Sequence, residues 1–165
     1  MDINKLSKQQ INELAYNWYF EVIKKMSKTN PIAKFNELKI SDYYKNYKVP
    51  TSKGMMWKYN RHHLIEINIT GALINSKGLE SRELINTPAI IVSLEQHAFL
   101  HYLIVLTQRT LPNDGIRLQI SDHEWDKIIQ EQCKIYDIPY ISNWPSYINN
   151  TEEYVNARTK MEKEL

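Results

Sequence analysis

Cysteine is almost absent. Cys133 stands alone in 165 residues, which excludes an internal disulfide and any cysteine-based zinc cluster. A bound metal must therefore use imidazole or carboxylate ligands. Glycine is scarce too, with four in all, and no glycine-rich loop of the kind that wraps a small ligand is visible. The apolar stretches are far too short to span a bilayer, so no membrane partner is expected. No secretory leader is visible either: Met1-Asp2-Ile3-Asn4-Lys5 reads as a polar helix start. These absences lead to the expectation of a cytoplasmic protein, although toxins exported without a leader look the same. There is no internal repeat and no low-complexity stretch.

What is present suits a soluble globular chain. The hydrophobic fraction is 42% and the charged fraction 24%. The length predicts a single domain over 1–165 with room for a real core. The net charge of +2 hides an asymmetry. Residues 1–61 carry twelve Lys and Arg against five Asp and Glu, so +7, and residues 62–165 carry nine against fourteen, so −5. The basic front half reads either as a phosphate-binding arm or as lysine-rich solvated helices.

Ser7-Lys8-Gln9-Gln10 fits a capping box, and Ile11, Leu14, Ala15, Trp18, Val22, Ile23 and Met26 follow at helical spacing. Residues 29–54 read as loops and short helical pieces, with a turn over Pro50 to Gly54. Met55 to Glu66 reads as extended, with Leu64 and Ile65 as strand formers. An irregular loop is expected over 67–87, with a short helical turn near Glu80–Leu84. Ala89 to Leu94 is the clearest strand, and Ser93 with Gln96 caps a helix running to about Gln108. Pro112-Asn113-Asp114-Gly115 is a turn. Ser121-x-x-Glu124 opens a helix whose buried stripe is Trp125, Ile128, Ile129, Cys133 and Tyr136. A Trp/Tyr-rich surface segment follows Pro139, and a charged helix is expected from Thr151 to Leu165.

Four of the five histidines sit in two groups. His97 and His101 are spaced i, i+4 on the expected helix, so their imidazoles share one face and can grip one metal ion. His62 and His63 are adjacent on the expected extended segment, so they point opposite ways. One can bind metal while the other faces a substrate, an arrangement that suits phosphodiester hydrolysis. His123 reads as a surface residue. Glu66 reads as a solvated carboxylate, with imidazole orientation as the alternative.

The order of strand with His62-His63, loop, strand, and helix with His97-x-x-x-His101 resembles the HNH endonucleases, also called His-Me finger or ββα-metal nucleases. The closest likeness is to the His-His plus His-x-x-x-His subtype found in nuclease toxins and phage endonucleases. The matching block spans about forty-five residues. The resemblance implies that His62, His97 and His101 hold one divalent metal ion and that His63 is the general base. It also implies an asparagine just before the second strand. Pro88 occupies that place here, and Asn86, two residues earlier, is the substitute. The loop is also about ten residues longer than in compact family members. Three imidazole ligands favour Zn, Ni, Co or Mn over Mg.

The expected fold is therefore α+β and mainly helical: a small antiparallel β-ribbon plus helix over 55–109, flanked by a basic helical region over 1–54 and a helical region over 110–165. The expected activity is metal-dependent cleavage of DNA, with RNA as an option. Lys53, Lys58 and Arg61 are candidate phosphate contacts. The Asp42–Lys48 run interleaves tyrosines with lysines, suited to base stacking, although packing is preferred for Tyr43 and Tyr44. A homodimer is open, as is an inhibitor or immunity partner if the chain is a toxin. The rivals are a nucleic-acid- or protein-binding protein with a relic or structural metal site, and a three-histidine hydrolase of small molecules.

Overall fold

Ser7 opens the first long helix through reciprocal bonds. Its hydroxyl accepts from the Gln10 N–H, and the Gln10 side chain accepts from the Ser7 N–H, giving α1 over Lys8–Met26. The computed structural model describes residues 1–74, 86–110, 112–149, 159, 160, 163 and 164. The turn expected near Glu80–Leu84 and most of the helix expected from Thr151 lie outside them.

After α1 come β1 (Ile32–Lys34), β2 (Lys48–Thr51), β3 (Gly54–Trp57) and β4 (Tyr59–His63). A 3-10 turn over Leu64–Ile67 and the one-turn helix α2 (Gly71–Ile74) follow. Then come β5 (Pro88–Ser93), α3 (Leu94–Thr107) and α4 (Asp122–Tyr136). The result is a mixed α+β fold with small antiparallel sheets.

Helix α3 is the centre. Leu94, Ala98, Phe99, Leu100 and every residue from Tyr102 to Thr107 are buried, as a helix apolar on nearly all sides must be. Helices α1 and α4 pack on it. Burial of side chains such as Phe99 and Leu103 contributes about 1.5–3 kcal/mol each. Ser93 and Gln96 form the expected capping box at its start. Asn30 fixes the same junction, donating to the Ile91 carbonyl and to the Gln96 side chain.

The main sheet has the order β1-β5-β4, antiparallel throughout. Its register pairs His62 with Ile90 and His63 with Ala89. Alternation then sorts the faces. Ile90 and Val92 join the helical core, whereas Ala89 and Ile91 pack with Leu38 in a second cluster beside Phe35, Tyr44 and Tyr59. Burial on both faces explains why β5 reads as one unbroken apolar run.

Four expectations are corrected. The region over 1–54 is not wholly helical, because β1 and β2 lie in it. Strand β1 has three residues, too few for a periodic signal, and exists through its long-range pairing with β5. Pro50 belongs to β2, the turn proper being Ser52 and Lys53, with Gly54 at φ 123°. Proline is tolerated in so short a two-stranded ribbon, where every strand is an edge. Leu64 and Ile65 are 3-10 rather than strand. Tertiary partners hold that turn: Tyr19 donates to the Leu64 carbonyl, and Thr110 to those of Glu66 and Ile67. The Trp/Tyr segment is not surface throughout: Ile141, Trp144 and Tyr147 are buried, and the Trp144 ring meets Trp125 at 4.6 Å.

The Ser121 box forms only by half. The Glu124 N–H donates to Ser121, but its carboxylate accepts from the backbone N–H and hydroxyl of Ser52. This contact ties the β2–β3 hairpin to the start of α4. No helix among the described residues is long and apolar enough to cross a membrane.

Candidate metal centre

Strand β4 ends in two histidines whose side chains leave on opposite faces of the sheet. His62 shares the face of Ile90 and is fully buried against the helices. There it meets the two histidines of α3. Ring centroids are 5.5 Å apart for His62 and His97, 5.6 Å for His62 and His101, and 4.7 Å for His97 and His101. The i, i+4 spacing places the latter pair on one face, with Nε2 atoms 3.1 Å apart. The three imidazoles that the sequence singled out thus converge.

A fourth group joins them. Glu66 is half-buried, with 13% of its side chain exposed, and its Oε2 lies 2.7 Å from His62 Nδ1. This corrects the expectation of a solvated carboxylate. The 3-10 turn after His63 folds the chain back, so Glu66 stands beside His62 instead of one strand period beyond it. The Glu66–His62 contact lacks the alignment of an N–H···O bond, leaving Nδ1 as a buried nitrogen without a hydrogen-bond partner. On the other side of the ring, His62 Nε2 lies 2.7 Å from the Tyr19 hydroxyl. Tyr19 was also missed in the sequence, although it lies one helical turn beyond Ala15 on the buried face of α1.

The electrostatics follow from burial and crowding. Desolvation pushes His97 well down, helped by His101 and His62 and opposed by Glu66. Desolvation likewise pushes His101 down to about 4, against the pull of Glu66. Burial alone raises Glu66, but the imidazole of His62 at 2.7 Å, with His101 and His97 behind it, outweighs that and holds the carboxyl well below its usual range. The metal-free centre is thus an ionised carboxylate among imidazoles, two of which resist protonation. These are the protonation states that a cation needs of its ligands.

The donor set fits a metal. One ligand atom each from His62, Glu66, His97 and His101 lies within 4.8 Å of the others, near enough for small side-chain shifts to draw all four onto one ion with bonds of about 2.0–2.2 Å. The orphaned His62 Nδ1 and the abutting Nε2 atoms are what a coordinated cation would satisfy.

His63 lies across the sheet, half-buried, with its ring stacked on Phe35 at 3.9 Å. Its Nδ1 is buried without a hydrogen-bond partner. Desolvation lowers its pKa, opposed by Glu66 and aided by His62 and Arg61. The Arg61 guanidinium covers the Phe35 ring at 3.8 Å and donates to the carbonyls of Phe35 and Leu38. Lys58 is ion-paired to Glu95 at 2.7 Å. Lys53 is exposed at the tip of the β2–β3 hairpin. The three candidate phosphate contacts therefore lie in three settings. Asn86 is exposed in the turn before β5, and His123 is exposed on α4.

A cleft on the Phe35 side is lined by Lys39, Tyr44, Lys45, Asn46 and Arg61. A hollow lined by Phe35, Trp57, Tyr59 and Asn60 adjoins it through Arg61. Tyr44 stacks on Tyr59 at 4.4 Å, as the packing expectation requires. Tyr43 departs from that expectation and is exposed, as is Tyr47. No family model, curated protein or solved structure matches this chain.

Proposed function

We propose that this chain is a metal-dependent endonuclease that hydrolyses phosphodiester bonds in DNA, with β4, β5 and α3 as a ββα-metal core. One observation carries this reading. A strand-borne imidazole joins an i, i+4 helical pair around one point, while the next residue of the strand presents a second imidazole on the other face. His62, His97 and His101 would hold one divalent ion, with Zn, Ni, Co or Mn favoured by three nitrogen donors. When bound, such an ion polarises the scissile phosphate and stabilises charge on the leaving oxygen.

His63 would take the proton of the attacking water. Its lowered pKa keeps it neutral, and so able to accept, at neutral pH. The Phe35 stack fixes its ring plane. Because β4 is an edge strand, its free edge is the place where one phosphate would have to reach both faces. Lys39 and Lys45 in the adjoining cleft supply positive charge for the nucleic-acid backbone.

Plasmid nicking tests the proposal. Nicking that appears with a transition metal and disappears with chelator supports it, and none with Zn, Ni, Co, Mn or Mg on DNA or RNA rejects it. A second reading has its own observation. Four protein donors, counting Glu66, complete the coordination of a structural zinc, which suits a binding protein without chemistry.

A further inference from the structure

We propose that Glu66 is a fourth, displaceable metal ligand, bound beside His62, His97 and His101 in the resting protein and giving way to a phosphate oxygen. The proposal rests on the metal site described above, but coordination by Glu66 does not depend on nuclease activity. It departs from an open three-histidine site, in which solvent fills the remaining position.

The first argument is the His62 ring. The Tyr19 hydroxyl has one proton and donates it to the Leu64 carbonyl at 3.2 Å. In the tautomer that matches this donation, His62 Nε2–H donates to the hydroxyl oxygen 2.7 Å away. With the ring proton on Nε2, Nδ1 turns a lone pair toward a carboxylate oxygen 2.7 Å off. Two electron-rich atoms at that separation repel unless a cation is shared between them. The missing alignment of an N–H···O bond at this contact agrees.

The second argument is space. A Cβ built on Gly71 would lie 2.7 Å from Glu66 Oε1. The carboxylate therefore rests where only a glycine leaves room. The backbone of Glu66 is fixed by Thr110, which takes its carbonyl, so a change of position falls on the side chain alone. Among the described residues, no lysine or arginine pairs with this carboxylate, and the groups that lower its pKa are the three imidazoles.

Displacement follows from the donor types. The imidazoles stand on β4 and α3, both held by regular backbone hydrogen bonding. Glu66 stands on a 3-10 turn with a flexible stem, and its oxygen is chemically close to that of a phosphate. An incoming phosphate exchanges oxygen for oxygen and leaves the nitrogen ligands in place.

The test uses the full chain loaded with Co(II), whose visible absorption reports coordination number, and inorganic phosphate as the probe. Wild type should show the intense bands of a four-coordinate site and bind phosphate weakly. Glu66→Ala should weaken those bands as water enters and lower Co(II) affinity by about tenfold or more. It should also bind phosphate about tenfold more tightly, because no carboxylate has to leave. Gly71→Ala keeps every ligand but crowds Oε1, so it should shift bands and phosphate affinity in the same direction even if Glu66→Ala fails to fold. Wild-type spectra and phosphate affinity in both variants would overturn the proposal and leave Glu66 as a positioning residue for His62. So would a chain that binds no Co(II). A protein that gives the expected Co(II) response but cleaves no nucleic acid loses the nuclease reading and keeps this one. A cleaving protein with spectra blind to both variants does the reverse.

Discussion

His97 Nε2 and His101 Nε2 meet at 3.1 Å, one turn apart on α3. Two ring nitrogens that close share either one proton or one cation, and they sit on a helix otherwise given to the core. Such a pair costs apolar contacts that leucine would have made, so its presence points to a ligand. A metal that binds only the folded chain raises stability by about 2.7 kcal/mol at a hundredfold excess over Kd. For a domain of this size that is a rise of about 5–10 °C in Tm. Thermal melts with Zn(II) or Co(II) against chelator should show it, and His97→Ala or His101→Ala should abolish most of it. Identical melts with and without metal would remove the metal centre.

Acid should destabilise the chelated protein. Below about pH 6.5 the imidazoles of an unfolded chain take up protons, whereas His97 and His101 in the folded, metal-free site do not until much lower pH, about 4 for His101. Unfolding then consumes protons, so stability rises with pH across that window and falls on acidification through it. Glu66 acts in the same direction further down. Its depressed pKa contributes stability above the ordinary value of 4.5 and loses it below. Urea midpoints of the chelated protein should fall between pH 7 and pH 4, and less steeply in His101→Phe. A flat profile would mean the imidazoles are not desolvated.

Arg61 is tied to the protein on three sides, by the Phe35 ring and two carbonyls. Arg61→Ala should therefore cost about 1–3 kcal/mol of stability, combining a cation–π contact with charged hydrogen bonds. Lys53→Ala, at the exposed hairpin tip, should leave stability within about 0.5 kcal/mol. Denaturant titration separates the two. Equal effects would mean that Arg61 is a solvated cation like Lys53.

The helices were legible because their signals are local. Ser7, Ser93 and Ser121 each sit beside an apolar period and each caps a helix. The opposed directions of His62 and His63 were legible because strand alternation is geometric. Strand β1 was not, since three residues carry no period and its partner lies 58 positions away at Ile32 and Ile90. Glu66 was hidden by the turn at Leu64–Ile67. Leu64 and Ile65 look like strand formers, and only carbonyl contacts from Tyr19 and Thr110 bend the chain there. Tyr19 resembled one more core aromatic, and nothing local marks its hydroxyl as the partner of His62.

His63 separates a reacting centre from a merely structural one. It lies on the sheet face away from His97 and His101, stacked on Phe35, so it is not among the grouped donor residues. His63→Ala should leave Co(II) affinity unchanged within about twofold, while cleavage falls by about 10²–10⁴ for a lost general base. Phe35→Ala, which frees the ring without removing it, should lower the rate less and return the pKa of the base toward 6.5, because desolvation is the main cause of its depression. The wild-type rate should rise with pH through a value below 6.5 and level off near neutrality, as the base loses its proton. The profile of Phe35→Ala should lie to its alkaline side. If His63→Ala cleaves at the wild-type rate, the base is another group, and the stack on Phe35 is packing alone.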